Sequence, residues 1–175
     1  QPIETGVKFQ SSVSGYITGL RFYKGNGSTG SHAGHIWSGN GVLLADEMYT
    51  SETSSGWQEV TLSTPVAIDA NTTYVASCFS SSGDYSYTNS FFTTAITHGS
   101  LRALADGEDG PNGVYAYGAG NSFPTDTYMS GNYWVDVVFT ESTGPDTIPP
   151  TVSITSPLNS ATGVAVGSAI TATFS

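Results

Sequence analysis

Apolar and polar residues alternate along this chain in short runs, each broken by Gly, Asn, Ser or Pro. Side chains of a strand alternate between its two faces, so such runs predict half-buried strands. They fall at Gly6–Gln10, Tyr16–Lys24, Gly34–Ser38, Val42–Ala45, Trp57–Leu62, Pro65–Ile68 and Tyr74–Phe79. Gly39-Asn40-Gly41 carries the turn signal of a hairpin between the third and fourth. On Tyr16–Lys24 the alternation predicts Tyr16, Leu20 and Phe22 on one face, with Ile17, Arg21 and Tyr23 on the other. The most concentrated apolar run is Asn132-Tyr-Trp-Val-Asp-Val-Val-Phe139, which reads as one closing strand with Tyr133, Val135, Val137 and Phe139 on its core face. No stretch sustains a capped helical period. The expectation is an all-β chain whose first domain is a jelly-roll-like β-sandwich. Trp37, Trp57 and Trp134 lie in strand-like runs and are expected mostly in its core.

Between Ser80 and Gly131 the pattern changes. Tyr85, Tyr87, Phe91, Phe92, His98, Tyr115, Tyr117, Phe123 and Tyr128 are scattered among Gly, Ser, Asn and Asp. Such a segment is too long to be structureless unless it is functional or holds short strands. Rings on Gly/Ser/Asn loops suit recognition, so Tyr85, Tyr87, Asn112, Tyr115, Tyr117 and Tyr128 are the candidate ligand-binding residues. Each ring also has a plainer reading, as satellite core plugging one end of the sandwich. After Phe139 the composition turns to linker over residues 141–150. Thr151–Pro157 and Ala169–Phe174 then read as two fresh strands, too little chain to bury a core alone. The division expected is 1–140, 141–150 and 151–175.

Composition adds limits. Lys+Arg number 4 against Asp+Glu 14, a formal net charge of −10, which argues against nucleic acid and anionic membrane surfaces as partners. No apolar run approaches the ~20 residues of a membrane helix, so no membrane insertion is expected. No signal peptide is present, and Gln1 could follow a cleaved one. Cys78 is the single cysteine, which leaves no intramolecular disulfide; its apolar surroundings read as a buried small side chain rather than a nucleophile.

The acidic, Gly-rich composition points to Ca²⁺ as a structural ion. Asp136, between Trp134 and Val138, is costly to bury unless a cation meets it. The candidates are Ca²⁺, shared with Glu4, or an ion pair with Arg21 or Lys8, with neither as the third alternative. Asp106, Glu108 and Asp109, in Asp106-Gly-Glu-Asp-Gly-Pro-Asn-Gly113, form a second oxygen-rich candidate for Ca²⁺, with a plain turn as the alternative. His32 and His35 point to opposite faces if the strand is extended, which favours hydrogen-bonded histidines over a transition-metal site. Gln1 in place of His removes an amino-terminal copper site. Glu47 with Glu52, and Asp106 with Glu108, are the carboxylate pairs, but nothing sets one member buried against an exposed partner as acid/base catalysis needs. No Gly-x-Ser-x-Gly elbow occurs. A non-catalytic protein is expected.

The motifs Gly6-Val-Lys-Phe9, Gly19-Leu-Arg-Phe-Tyr-Lys24, Gly56-Trp-Gln58, Tyr74-Val-Ala76, Gly110-Pro-Asn-Gly-Val-Tyr115 and Asn132–Phe139 occur together and in order. In this, residues 6–139 resemble a bacterial secreted family, the domain of unknown function 4082. The family carries no established catalytic residues. Ile148–Pro157, Ala161-Thr-Gly-Val164 and Ile170–Phe174 resemble the first part of a bacterial immunoglobulin-like repeat. Together these resemblances imply an accessory module of a secreted or cell-surface protein with neighbouring domains. The function expected is non-catalytic binding of a polysaccharide or glycan. The alternative is a structural or adhesive surface domain with no small ligand.

Overall fold

The structure, a computed structural model, describes residues 1–142 and 151–174. The chain divides into two compact units, Gln1–Thr143 and Gly144–Ser175. All but the first two residues of the expected linker lie outside the described residues.

The first unit is built from β1 (Ile3–Ser11), β2 (Gly15–Lys24), β3 (His32–Ser38), β4 (Leu43–Met48), β5 (Gly56–Ile68), β6 (Tyr74–Ser80), β7 (Ile96–His98), β8 (Leu101–Ala103), β9 (Val114–Tyr117), β10 (Asp126–Thr127) and β11 (Val135–Thr140). Among the described residues a single 3-10 turn covers Phe91–Thr93. The larger antiparallel sheet runs β10-β9-β1-β6-β3-β4, with β8 pairing both β1 and β7; the smaller runs β11-β2-β5. The fold is an all-β sandwich. Its core lies between the two sheets, where Val7, Phe9, Ile36, Ala76 and Cys78 meet Ile17, Leu20, Phe22, Leu62, Val135 and Val137. Burial of these aliphatic and aromatic side chains supplies the main driving force.

Two departures from simple alternation decide which side chains reach that core. Ile17 and Leu20 both face inward, although their spacing assigns them opposite faces. The register of β2 on β5 shifts between Ile17 and Gly19, and that of β11 on β2 shifts between Val138 and Phe139. The irregularity inserts a residue and turns the strand over, so Ile17 is buried with Leu20 rather than exposed with Arg21. The closing run also starts later than its sequence pattern predicts. β11 begins at Val135, because Trp134 has φ 55. Asn132 Oδ1 accepts the Trp134 N–H at 2.7 Å, an Asx turn that breaks the strand.

The outer face of the larger sheet holds a smaller apolar cluster of Trp37, Val75 and Val114, covered by Phe123. Beside it lies a buried polar row. His35 Nδ1 contacts Glu4 Oε1 at 2.7 Å and its Nε2 lies 3.4 Å from Asp46 Oδ1. Of the three tryptophans only Trp37 is in the core, at 3% exposure; Trp57 is 49% exposed, and Trp134 is half-buried. In the second unit β12 (Val152–Ser156) and β13 (Thr171–Phe174) pair as an antiparallel ribbon.

Candidate functional site

One edge of β1 is shared by two short strands. β9 pairs with its first half, from Ile3 to Gly6, and β8 with its last residues, Phe9 to Ser11. Residues directly opposite in an antiparallel pair share a face. Tyr115 opposite Thr5, and Tyr117 opposite Ile3, therefore stand on the sandwich side of the sheet. Two further segments come up against them. The segment around Tyr85 and Tyr87 is tied to that around Tyr133 by the Thr88–Asn132 bridge, whose two backbone bonds are both 2.9 Å.

The result is an open cup of about 260 Å³ lined by Ile3, Tyr85, Tyr87, Asn89, Tyr115, Tyr117, Tyr128 and Tyr133. The five tyrosines expected to bind a ligand all line this one concavity. Tyr133 is its floor at 8% exposure, while Tyr87, Tyr117 and Tyr128 form the rim at 59%, 53% and 59%. The rings are steeply tilted to one another. Tyr115–Tyr117 and Tyr85–Tyr133 lie 5.5 and 5.6 Å apart at 70° and 75°, the edge-to-face geometry aromatic rings favour. Burial pushes the Tyr133 phenol up to about 12, helped by the neighbouring phenols of Tyr85, Tyr115 and Tyr117. Tyr85 is raised for the same two reasons. Both are neutral O–H groups at neutral pH, each able to donate and accept. Among the described residues none of the six phenols has a protein hydrogen-bond partner.

Asn112 is not part of the cup, a correction to the expectation. It is fully buried, and its amide mends the gap in the sheet between β8 and β9. Oδ1 accepts the Lys8 and Gly113 N–H groups, and Nδ2 donates to the Lys8 and Leu104 carbonyls. Every one of these bonds goes to backbone, leaving nothing for a ligand. Next to it Gly113 has φ 74, and a Cβ there would collide with the Gly131 carbonyl oxygen, which explains why only Gly serves. Conversely, Tyr133, Asn89 and Ile3 line the cup without having been anticipated. Tyr133 shares its alternation with Val135 and Val137 and so reads as core; its place next to Asn132, at the frayed start of the strand, was the available signal.

The acids expected to hold calcium are dispersed. Glu4 is buried against His35 on the larger sheet, while Asp136 is exposed on the smaller one and accepts the Val137 N–H at 2.8 Å. The burial cost anticipated for Asp136 does not arise. Neither expected cation pairs with it: Arg21 is bonded to Glu59 at 2.7 Å, and Lys8 Nζ to the Asp109 carbonyl. In the second candidate Asp106 accepts from the Asn112 N–H and the Ser130 hydroxyl, and Glu108 is paired with Arg102. These bonds describe a turn, with the Asp106 and Glu108 carboxylates already engaged. Among the described residues no three His, Cys, Asp or Glu side chains group to hold a metal ion. His32 and His35 are both buried and bonded to carboxylates, Glu52 and Glu4. Burial, then the charges of Glu4 and Glu52, push the Cys78 thiol well up, which leaves it a packed side chain.

The first unit is thus an antiparallel β-sandwich domain with an open aromatic concavity on one edge. The chain belongs to the family described as domain of unknown function (DUF4082), whose model matches residues 1–135. No curated protein matches it.

Proposed function

We propose that the first unit is a non-catalytic carbohydrate-binding module, one part of a secreted multi-domain bacterial protein. The observation that carries this reading is the cup itself. Three separate chain segments bring six tyrosines together, with all six hydroxyls free of protein partners among the described residues. A sugar presents apolar C–H faces beside dense hydroxyl groups, and phenol rings answer both. Four of these rings, Tyr85, Tyr87, Tyr117 and Tyr128, are exposed, and such a grouping of large aromatic side chains at a surface favours a recognition role. The steep ring tilts suit a single sugar residue or a chain end held between rings, rather than the flat face of a crystalline polysaccharide. The ribbon of the second unit fits the start of an immunoglobulin-like spacer, in keeping with a modular parent protein.

The test is retention of the full chain on a panel of soluble and insoluble polysaccharides, with Ca²⁺ and with chelator. Retention on one glycan class, lost in Tyr117→Ala and Tyr87→Ala at unchanged melting temperature, is the expected result. Both rings are on the rim, so neither change disturbs the core. Chelator-insensitive retention would remove calcium from the account. No retention on any glycan would instead favour the structural or adhesive domain.

A further inference from the structure

The first unit carries a second concavity, larger than the tyrosine cup. A groove of about 410 Å³ opens along the free side of β11, facing β7 and β8. That strand is the edge of the smaller sheet. Its floor consists of core residues, Val7, Phe9, Phe92, Val135 and Val137, and its walls include Trp57, Phe91, Ile96, Leu101 and Trp134. The size lies within the range of small-molecule sites, which are concave and largely apolar with a few placed polar groups. Trp57 and Ile96 are 49% and 44% exposed there, a costly placement for large apolar side chains grouped together. Trp134 is held in a left-handed backbone conformation, φ 55, which is rare for a bulky residue and concentrates at ligand sites. Its Nε1 is fixed by Thr88 Oγ1 at 3.1 Å.

The charges at the mouth give the groove a sign. Arg21, Arg102 and Asp136 line it, and Glu59, outside the lining, lies in one row with Arg21 and Asp136 across β5, β2 and β11. One guanidinium thus stands between two carboxylates, and its ion pair is made with Glu59. On the other wall Arg102 is neutralised by Glu108 at 2.6 Å. Asp136 has no cation bonded to it among the described residues, the Arg21 opposite it being paired with Glu59. His98 and Asn132 complete the rim.

We propose that this groove is a second binding site, for a small amphipathic cation: an aromatic or short alkyl body on the apolar floor and an ammonium head at Asp136. The two indoles at the same mouth add the attraction of aromatic faces for a cation. The site is independent of the tyrosine cup, and neither reading requires the other.

The probe is 4-phenylbutylammonium, titrated against the full chain and followed by the fluorescence of Trp57 and Trp134. Its carboxylate counterpart, 4-phenylbutyrate, is titrated in parallel. Saturable binding with Kd of about 1 mM or tighter is expected for the cation. A preference over the anion of up to about fivefold corresponds to one exposed charge pair, and added salt weakens it. Asp136→Asn keeps the acceptor for the Val137 N–H while removing the charge, so it folds as before and loses the preference. A neutral hexose serves as control and does not shift the signal. The proposal is overturned if the cation fails to saturate, if the two probes bind alike, or if Asp136→Asn leaves the preference intact.

Discussion

Glu4→Gln tests the buried pair on the outer face of the larger sheet. Glu4 and His35 are each 1% exposed, with Nδ1 and Oε1 at 2.7 Å, and the second carboxylate oxygen, Oε2, has no partner among the described residues. Burial alone pulls the His35 pKa down. The hydrogen bond and charge of Glu4, followed by those of Asp46, outweigh it and leave the imidazole above its ordinary 6.5. A base whose pKa is raised by folding contributes stability in full below its unfolded value, and loses it as pH rises through the folded value. Wild type should therefore weaken from about pH 6.5 upward through this pair. Removing one partner of a buried ion pair costs about 3–5 kcal/mol, a fall in melting temperature of roughly 6–20 °C for a domain of this size. In Glu4→Gln burial is opposed only by Asp46, which is 44% exposed, so the His35 pKa falls. Its stabilising contribution at acid pH shrinks accordingly. Thermal melts from pH 5 to 9, plotted as wild type minus variant, isolate this group from the other carboxylates. The difference should be largest at the acid end and shrink as pH rises. A flat difference curve, or a loss below about 1 kcal/mol, would mean that His35 is never charged in the folded state.

Tyr49 is buried and its hydroxyl has no partner among the described residues, with burial driving its pKa far up. Tyr49→Phe should therefore gain about 1 kcal/mol and raise the melting temperature by roughly 2–4 °C; a drop of that size would show that the hydroxyl is satisfied. Asn112→Ala leaves the Lys8 N–H, the Leu104 carbonyl and the Gly113 N–H short of partners. A loss of at least about 3 kcal/mol follows from several unpaired buried groups. Urea denaturation measures it, and a loss under 1 kcal/mol (about the worth of one bond) would refute the sheet-mending role.

Strand positions were legible in this chain because the inner faces of both sheets repeat every second residue, as in Val7 with Phe9 and Val135 with Val137. Phase was not legible where a bulge intervenes. Nothing in Ile17-Thr18-Gly19 tells alternation that a residue is inserted, so Ile17 and Leu20 read as opposite. The exposed tryptophans were missed for a related reason. Composition assigns a Trp in a strand-like run to the core, whereas the faces of Trp57 and Trp134 depend on register and on the Asx turn at Asn132. Of the cup, the five loop tyrosines could be read from their Gly, Ser and Asn surroundings. Asn112 shared those surroundings but spends its amide on backbone, which only the split pairing of β1 reveals. The pairing of Glu4 with His35 was not legible because the two are 31 residues apart, in strands separated by β6.

The tyrosine cup and the β11 groove are two faces of one wall. Residues 85–92 and 128–137 form it, joined by Thr88–Asn132, Ser90–Met129 and Phe92–Ser130 backbone bonds of 2.8–3.0 Å. Tyr133 floors the cup while its neighbour Trp134 lines the groove, and Tyr87 and Phe91 divide in the same way. Ser90, Met129, Ser130 and Trp134 all have left-handed φ, from 46 to 56. Each such residue costs of order 1–3 kcal/mol unless its surroundings impose it, so local propensity cannot be what builds this wall. The cross-bonds and the Trp134–Thr88 contact must hold it, and they are shared. A change at Thr88 or Asn132 therefore reaches both concavities, whereas a change at Tyr117 or Asp136 reaches one. Loss of both binding activities from a single substitution in the wall would accordingly report its collapse, and would not argue that the two sites take the same ligand.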